Sequence, residues 1–152
     1  SLVAKHRLAA ALLKNNIKKT YTAIVEGIIP EDSGMINAPL IRVSGPVIKR
    51  AVHPTGQTAV TYYKVITRLN HHSLVKIELQ TGRTHQIRAH FSSLGYPLAG
   101  DTLYGGSPEF IQRQALHCQA MVILQPTNKN TLKLTLPLPQ DMQYILNNDQ
   151  TY

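Results

Sequence analysis

An α+β fold, built on a mostly antiparallel mixed sheet with flanking helices, is predicted for residues 1–152, and three observations predict it. Stretches rich in β-branched and aromatic residues outnumber those with helical periodicity. Short turn-like segments join them, which favours antiparallel pairing of neighbours. Strand and helix patterns do not alternate regularly, as a parallel βαβ protein would require.

The elements follow in order. His6 to Asn16 places Leu8, Leu12 and Leu13 at helical spacing and ends on two asparagines, predicting a short helix. Lys19 to Ile29 (Lys-Thr-Tyr-Thr-Ala-Ile-Val-Glu-Gly-Ile-Ile) reads as a strand, and Pro30 to Gly34 as a loop. Residues 35–56 hold three prolines and two glycines, so they read as an irregular or edge-strand segment carrying Arg42, Lys49 and Arg50 on a flexible surface. Gln57 to Leu69 is a strand. In Leu74 to Leu79, Val75, Ile77 and Leu79 alternate with Lys76 and Glu78, the mark of a half-buried strand. Thr81-Gly-Arg-Thr84 turns the chain into a helix whose face is Ile87, Phe91 and Leu94, closed by Gly95 and Pro97. Ala115 to Gln125 and Thr131 to Leu136 are strands, Pro137-Leu-Pro139 breaks the chain, and Asp141 to Asn147 forms a last helix.

Composition narrows the function classes. With 43% hydrophobic and 16% charged residues, the chain is neither disordered nor fibrous. One cysteine, Cys118, excludes an internal disulfide and a Cys-rich zinc module. Every apolar run is shorter than a bilayer span and no secretory leader pattern opens the chain, so a cytoplasmic protein with no membrane partner is expected. The net charge of +8 is uneven. Residues 1–100 carry 13 Lys and Arg against 4 acids, whereas residues 101–152 carry 3 against 4. The excess over the first two thirds suits a polyanion partner.

Residues able to do chemistry concentrate in Gln80-Thr-Gly-Arg-Thr-His-Gln-Ile-Arg-Ala-His90. A helix start capped by Thr84 or Thr81 would offer free N–H groups to an anion, with Arg83, His85 and Arg88 as further donors. His85 and His90 are five residues apart, off a common helical face, and no metal site is expected. His71-His72 reads as a solvated pair at a turn. Asp101, beside glycines, has three readings, a catalytic acid, a salt-bridged acid or a turn former, and the Gly-Asp pair favours a turn-forming or structural role. Cys118 follows His117 on a strand, so their side chains diverge and the thiol reads as core packing.

Five strings stand in a fixed order: Lys19-Thr-Tyr21-Thr-Ala-Ile-Val-Glu-Gly27, Gln57-Thr-Ala-Val-Thr-Tyr-Tyr-Lys-Val65, Thr81-Gly-Arg-Thr-His-Gln-Ile-Arg-Ala-His90, Leu94-Gly-Tyr-Pro-Leu-Ala-Gly-Asp-Thr-Leu-Tyr104 and Ala115-Leu-His-Cys118. Together they resemble the RluA-like pseudouridine synthases, over essentially the whole chain, and Pro137-Leu-Pro139-Gln-Asp-Met142 is similar to that family's C-terminal end. The resemblance implies an RNA pseudouridine synthase, an isomerase that breaks the N1–C1′ bond of uridine, turns the uracil and forms C5–C1′. It implies no cofactor and no metal. The partner would be ribosomal or transfer RNA, with the target uridine out of its stack.

By the same resemblance Tyr21 packs against the flipped uracil and Arg88 pairs with the catalytic aspartate, these two being the catalytic residues. Leu116 walls the pocket, and Arg83, Thr84, His85 and Gln86 contact RNA or support the loop. The family's aspartate lies in an H-R-L-D-x-x-T-S-G motif just before the position matched by Val3-Ala4-Lys5. His6-Arg7-Leu8-Ala9 carries alanine where that aspartate would stand, and no Asp precedes Asp32. The expectation is therefore an N-terminally truncated catalytic domain, inactive alone, whose uncovered sheet edge favours self-association. Arg88 would then be exposed or redirected to another acceptor such as Asp101. Two other readings are a non-catalytic RNA-binding module, using the bases with Tyr62, Tyr63, Tyr96 and Tyr104, and a nuclease or phosphoesterase built on the Arg/His helix start.

Overall fold

The computed structural model describes residues 17–124 and 130–150, so the predicted helix at residues 6–16 lies outside the described residues. Among the described residues, eight strands and two helices follow one another: β1 (Ile17–Glu26), β2 (Ser33–Asn37), β3 (Leu40–Arg42), β4 (Arg50–Val52), β5 (Val60–Arg68), β6 (His72–Leu79), α1 (Gln86–Ser93), a 3-10 turn (Thr102–Tyr104), β7 (Leu116–Leu124), β8 (Thr131–Thr135) and α2 (Gln140–Asn148). Six strands form one sheet in the order β2-β5-β6-β1-β7-β8, every pair antiparallel, and β3 pairs with β4 in a separate hairpin. This is the predicted α+β class.

β1 lies at the centre, and its middle residues Thr22 to Val25 are buried on both faces. Ala23 and Val25 join Val75, Ile77, Ile87 and Phe91 on one side, where α1 packs. Ile24 joins Leu74, Ala115, Met142 and Ile145 on the other, where α2 packs. The alternation in β6 appears as predicted, with Val75 and Ile77 buried and Lys76 exposed. Helix α1 ends as its glycine predicts. Gly95 has φ +87 and donates to the Ser92 carbonyl, and the Tyr96 N–H returns to the Phe91 carbonyl.

Residues 35–56, expected as an irregular or edge-strand segment, are edge strand in part and more ordered than irregular in the rest. They supply edge strand β2, paired with β5, and the β3–β4 hairpin. That hairpin is anchored. Leu40 is buried with Ala59, Ala89 and Tyr104, the His53 N–H donates to the Pro39 carbonyl, and the Arg50 N–H donates to the Tyr104 hydroxyl. Lys49 and Arg50 therefore sit on a docked surface and not on a flexible one. At the opposite edge β8 is exposed throughout, with Leu132 and Leu134 among its side chains. No helix among the described residues is long and apolar enough to cross a membrane.

Candidate active site

The Thr81–His90 segment is closed upon itself by one glutamine. Gln86 is 2% exposed. Its Oε1 accepts from the Thr81 hydroxyl and the Arg83 N–H, and its Nε2 donates to the Val60 carbonyl and the Thr61 hydroxyl oxygen. Two donors and two acceptor positions exhaust an amide side chain. Gln86 therefore supports the loop and has nothing left for a substrate. At the helix start, the Arg83 N–H ahead of α1 donates to Gln86 Oε1 and the Gln86 N–H donates to the Arg83 carbonyl, so these two donors are spent within the turn. Neither Thr84 nor Thr81 caps α1. The N-cap is His85, in the left-handed region at φ +55 with no side-chain cap, while Thr84 is exposed. Arg83 donates through Nε to the Thr58 carbonyl, bracing the loop ahead of β5.

A chain of bonds continues inward. The Thr61 hydroxyl lies 2.8 Å from His90 Nδ1, and His90 Nε2 lies 2.8 Å from the Ala38 carbonyl. The carbonyl can only accept, so Nε2 carries the proton and Nδ1 accepts from Thr61. Burial pushes the His90 pKa down, against the partial restoring effect of the Ala38 bond. His90 is a neutral, fully engaged core histidine.

Arg88 leaves α1 on the other side and meets Asp101. Its Nε and Nη2 each donate to one carboxylate oxygen at 2.9 Å, a bidentate fork with side chains 14% and 1% exposed. That bond, ahead of any opposing burial effect, raises the Arg88 pKa and keeps the group a cation. Asp101 is placed by its neighbours: Gly100, at φ +76, could carry no Cβ without colliding with the carbonyls of Ile111 and Arg113. Asp101 is thus the salt-bridged acid among the roles weighed for it, as well as a turn residue.

Tyr104, the last residue of the 3-10 turn, is the hub of this region. Arg88 Cζ lies 4.9 Å from its ring centroid and Lys49 Nζ 5.7 Å. Its hydroxyl lies 2.8 Å from His85 Nδ1 and accepts the Arg50 N–H at 2.9 Å. Burial and then the Arg88 charge hold the His85 pKa below its usual value, with Arg50 adding to the effect and Asp101 opposing it. A neutral imidazole accepting from the Tyr104 hydroxyl fits that pattern.

Tyr21 stands elsewhere. It lines a surface cleft of about 670 Å³ with Lys18, Lys19, Tyr62, Thr81 and Gly82. That volume is in the range of small-molecule sites. Burial raises the Tyr21 pKa, and Cys118, its partner across the β1–β7 ladder, raises it further. Leu116 pairs with Ala23 and packs against the α1-side core, not along this cleft. Cys118 is half-buried beside Tyr21 and lies outside the core clusters, so it does not serve as core packing. The structure thus joins Tyr21 to the Thr81-Gly82 turn and His85 to Arg88, but no contact links Tyr21 with Arg88.

Sequence reasoning missed Tyr104 as a hub and Asp149 altogether. Asp149 Oδ2 accepts from the His71 N–H at 2.8 Å and lies 2.6 Å from His72 Nδ1. His72 is buried, so the expected solvated pair holds only for His71. The signal was present only as two histidines at a turn and an acid ending a helix far along the chain. Among the described residues no group of three His, Cys, Asp or Glu side chains is arranged to hold a metal ion.

Comparison with known proteins gives three consistent findings. The family model described as RNA pseudouridylate synthase matches residues 2–93. Two Bacillus subtilis proteins named as uncharacterised RNA pseudouridine synthases are 47% and 43% identical, over 92% and 95% of this chain. The ribosomal large subunit pseudouridine synthase D of Pseudomonas aeruginosa is 38% identical over 96% of the chain. The chain spans 49%, 53% and 50% of those three relatives. Among solved structures, human RNA pseudouridylate synthase domain containing 1 superposes with a TM-score of 0.78 at 25% identity, over 90% of this chain and 61% of that one.

Proposed function

This chain belongs to the RNA pseudouridylate synthase family, and from that premise we propose that it forms part of an enzyme converting uridine to pseudouridine in structured RNA. The observation that carries the proposal is the cleft that sets Tyr21 beside the Thr81-Gly82 turn. A uracil taken out of its stack would lie against the half-buried Tyr21 ring, with Tyr62 on the same rim and Lys18 and Lys19 near the phosphates. The reaction exchanges N1–C1′ for C5–C1′; N1 takes up a proton from solvent and the hydrogen on C5 leaves as a proton. Something must receive the anomeric charge or that proton. Tyr is neutral near pH 7 and Arg cannot act as a base, so a further group has to do so, which the resemblance to the family makes an aspartate. Arg88 is the cation suited to orient such a carboxylate, and it is preformed for that task by Asp101, which holds it in place from behind.

Names of the relatives favour ribosomal large subunit RNA as the substrate class. The test is tritium release from RNA labelled at uridine C5. The 152-residue polypeptide alone is expected to give no release, and the chain carrying an N-terminal segment with H-R-L-D to give multiple turnovers, which Tyr21→Ala lowers by at least ~100-fold. Full activity of Tyr21→Ala in the extended chain would remove Tyr21 from the site.

A further inference from the structure

We infer that the β3–β4 hairpin presents Arg50, with Arg42 and Lys49, as a subsite for a backbone phosphodiester of the RNA, an inference that rests on the RNA reading above. Arg50 Nη1 is buried and, among the described residues, is the one buried side-chain N or O atom with no hydrogen-bond partner. Leaving such a donor unmade is costly, and proteins seldom tolerate it without a reason. Across the ladder Arg50 stands directly opposite Arg42, a like-charge pair that destabilises a hairpin. Lys49 adds a third cation beside Tyr104, and Arg88 a fourth on the same ring.

No carboxylate forms an ion pair with Arg42, Lys49 or Arg50 among the described residues, and Asp101 is already spent on Arg88. The segment from Arg42 to His53 contains no acid. The hairpin is nevertheless rigidly seated, since the Arg50 N–H is fixed to the Tyr104 hydroxyl. A pre-positioned set of cations without counter-charge is what a phosphate oxygen would complete. Arg50 is only partly buried. A phosphodiester engaging its exposed edge would let the guanidinium leave a position that wastes a donor, and would screen Arg42 from Arg50 at the same time.

Two measurements test this. The first is filter binding of a labelled single-stranded RNA oligonucleotide across a salt series, for the wild-type chain, Arg50→Ala and Lys76→Ala. Arg50→Ala is expected to bind roughly tenfold more weakly at low salt, and the slope of log affinity against log salt to shrink by about one phosphate. Lys76→Ala, exposed on β6 and outside the hairpin, tracks the wild type there. The second is the thermal midpoint of free Arg50→Ala, expected at or above that of the wild type because a buried unpaired donor has gone. Wild-type binding that Arg50→Ala leaves untouched would overturn the subsite while sparing the RNA reading. Failure of the wild type to bind any RNA would overturn both. A lowered midpoint restored by Arg50→Lys would make Arg50 structural and overturn the subsite.

Discussion

Two aspartates, Asp101 and Asp149, are 2% and 3% exposed, yet they are made tolerable in opposite ways. Asp101 is matched by a single bidentate guanidinium, in a region where cations outnumber acids. Asp149 is matched by a backbone N–H and two imidazoles at the turn between β5 and β6, while its own carbonyl accepts the Asn70 N–H. The first arrangement fixes a cation for use. The second fastens the C-terminal end of α2 to the sheet. Burial of a carboxylate is thus not a sign of function by itself; what the partner still has to offer decides it. Arg88 retains unspent N–H donors, whereas the groups around Asp149 are consumed in holding the chain together.

The largest expected effect comes from breaking the first pair. Asp101→Ala strands a mostly buried guanidinium and should cost about 3–5 kcal/mol in denaturant unfolding. Double replacement by Asp101→Leu with Arg88→Met should recover much of that loss, since an uncharged pair has no desolvation to offset. Asp149→Ala follows, at about 2–3 kcal/mol, because it leaves the His71 N–H and the His72 ring without their acceptor. A loss for Asp149→Ala exceeding that of Asp101→Ala would reverse this ranking.

The smallest effect separates the two regions by pH. Burial lowers the His90 pKa, so the unfolded chain binds the extra proton first, and stability should begin to fall as pH drops below about 6.5. At Asp149 burial pushes the carboxyl up, but the His72 and His71 bonds outweigh it and hold the group below its usual value. Its contribution is therefore intact above about 3.8 and is lost as pH falls through the lowered folded value. Unfolding monitored from pH 8 to pH 2 should show both declines. His90→Gln should flatten the first and Asp149→Asn the second. An unaltered profile in either variant would refute the corresponding assignment.

These contrasts also mark what could be read from the chain and what could not. The strand patterns of β1, β5, β6 and β7 and the glycine stop of α1 were legible because they are local: runs of β-branched and aromatic residues, the alternation in β6 and a left-handed glycine leave their trace in consecutive positions. The β3–β4 hairpin was not, because its strands are three residues long, and β2 was legible only as one alternative, an edge strand, because it is defined by pairing with β5, some 25 residues later. Tyr21, Arg88 and His85 were legible as candidates through their motifs. That Gln86 would spend all its hydrogen bonds internally, or that Tyr104 would gather His85, Arg50, Lys49 and Arg88, depends on distances between segments that no local pattern encodes.

The central place of β1 has a consequence in time. Among the described strands it is the first to be synthesised, but its neighbours come late: Ala23 pairs with Val75, 52 residues on, and with Leu116, 93 residues on. At about 5–20 residues per second on the ribosome, this apolar strand waits roughly 5–20 s for its second partner. Such distant pairing also places the domain among slow folders, in the millisecond-to-second range once the chain is complete. During that wait the run Ala23-Ile24-Val25 has no sheet to enter, so the nascent chain should engage hydrophobic-binding chaperones until β7 emerges, and release them when it does.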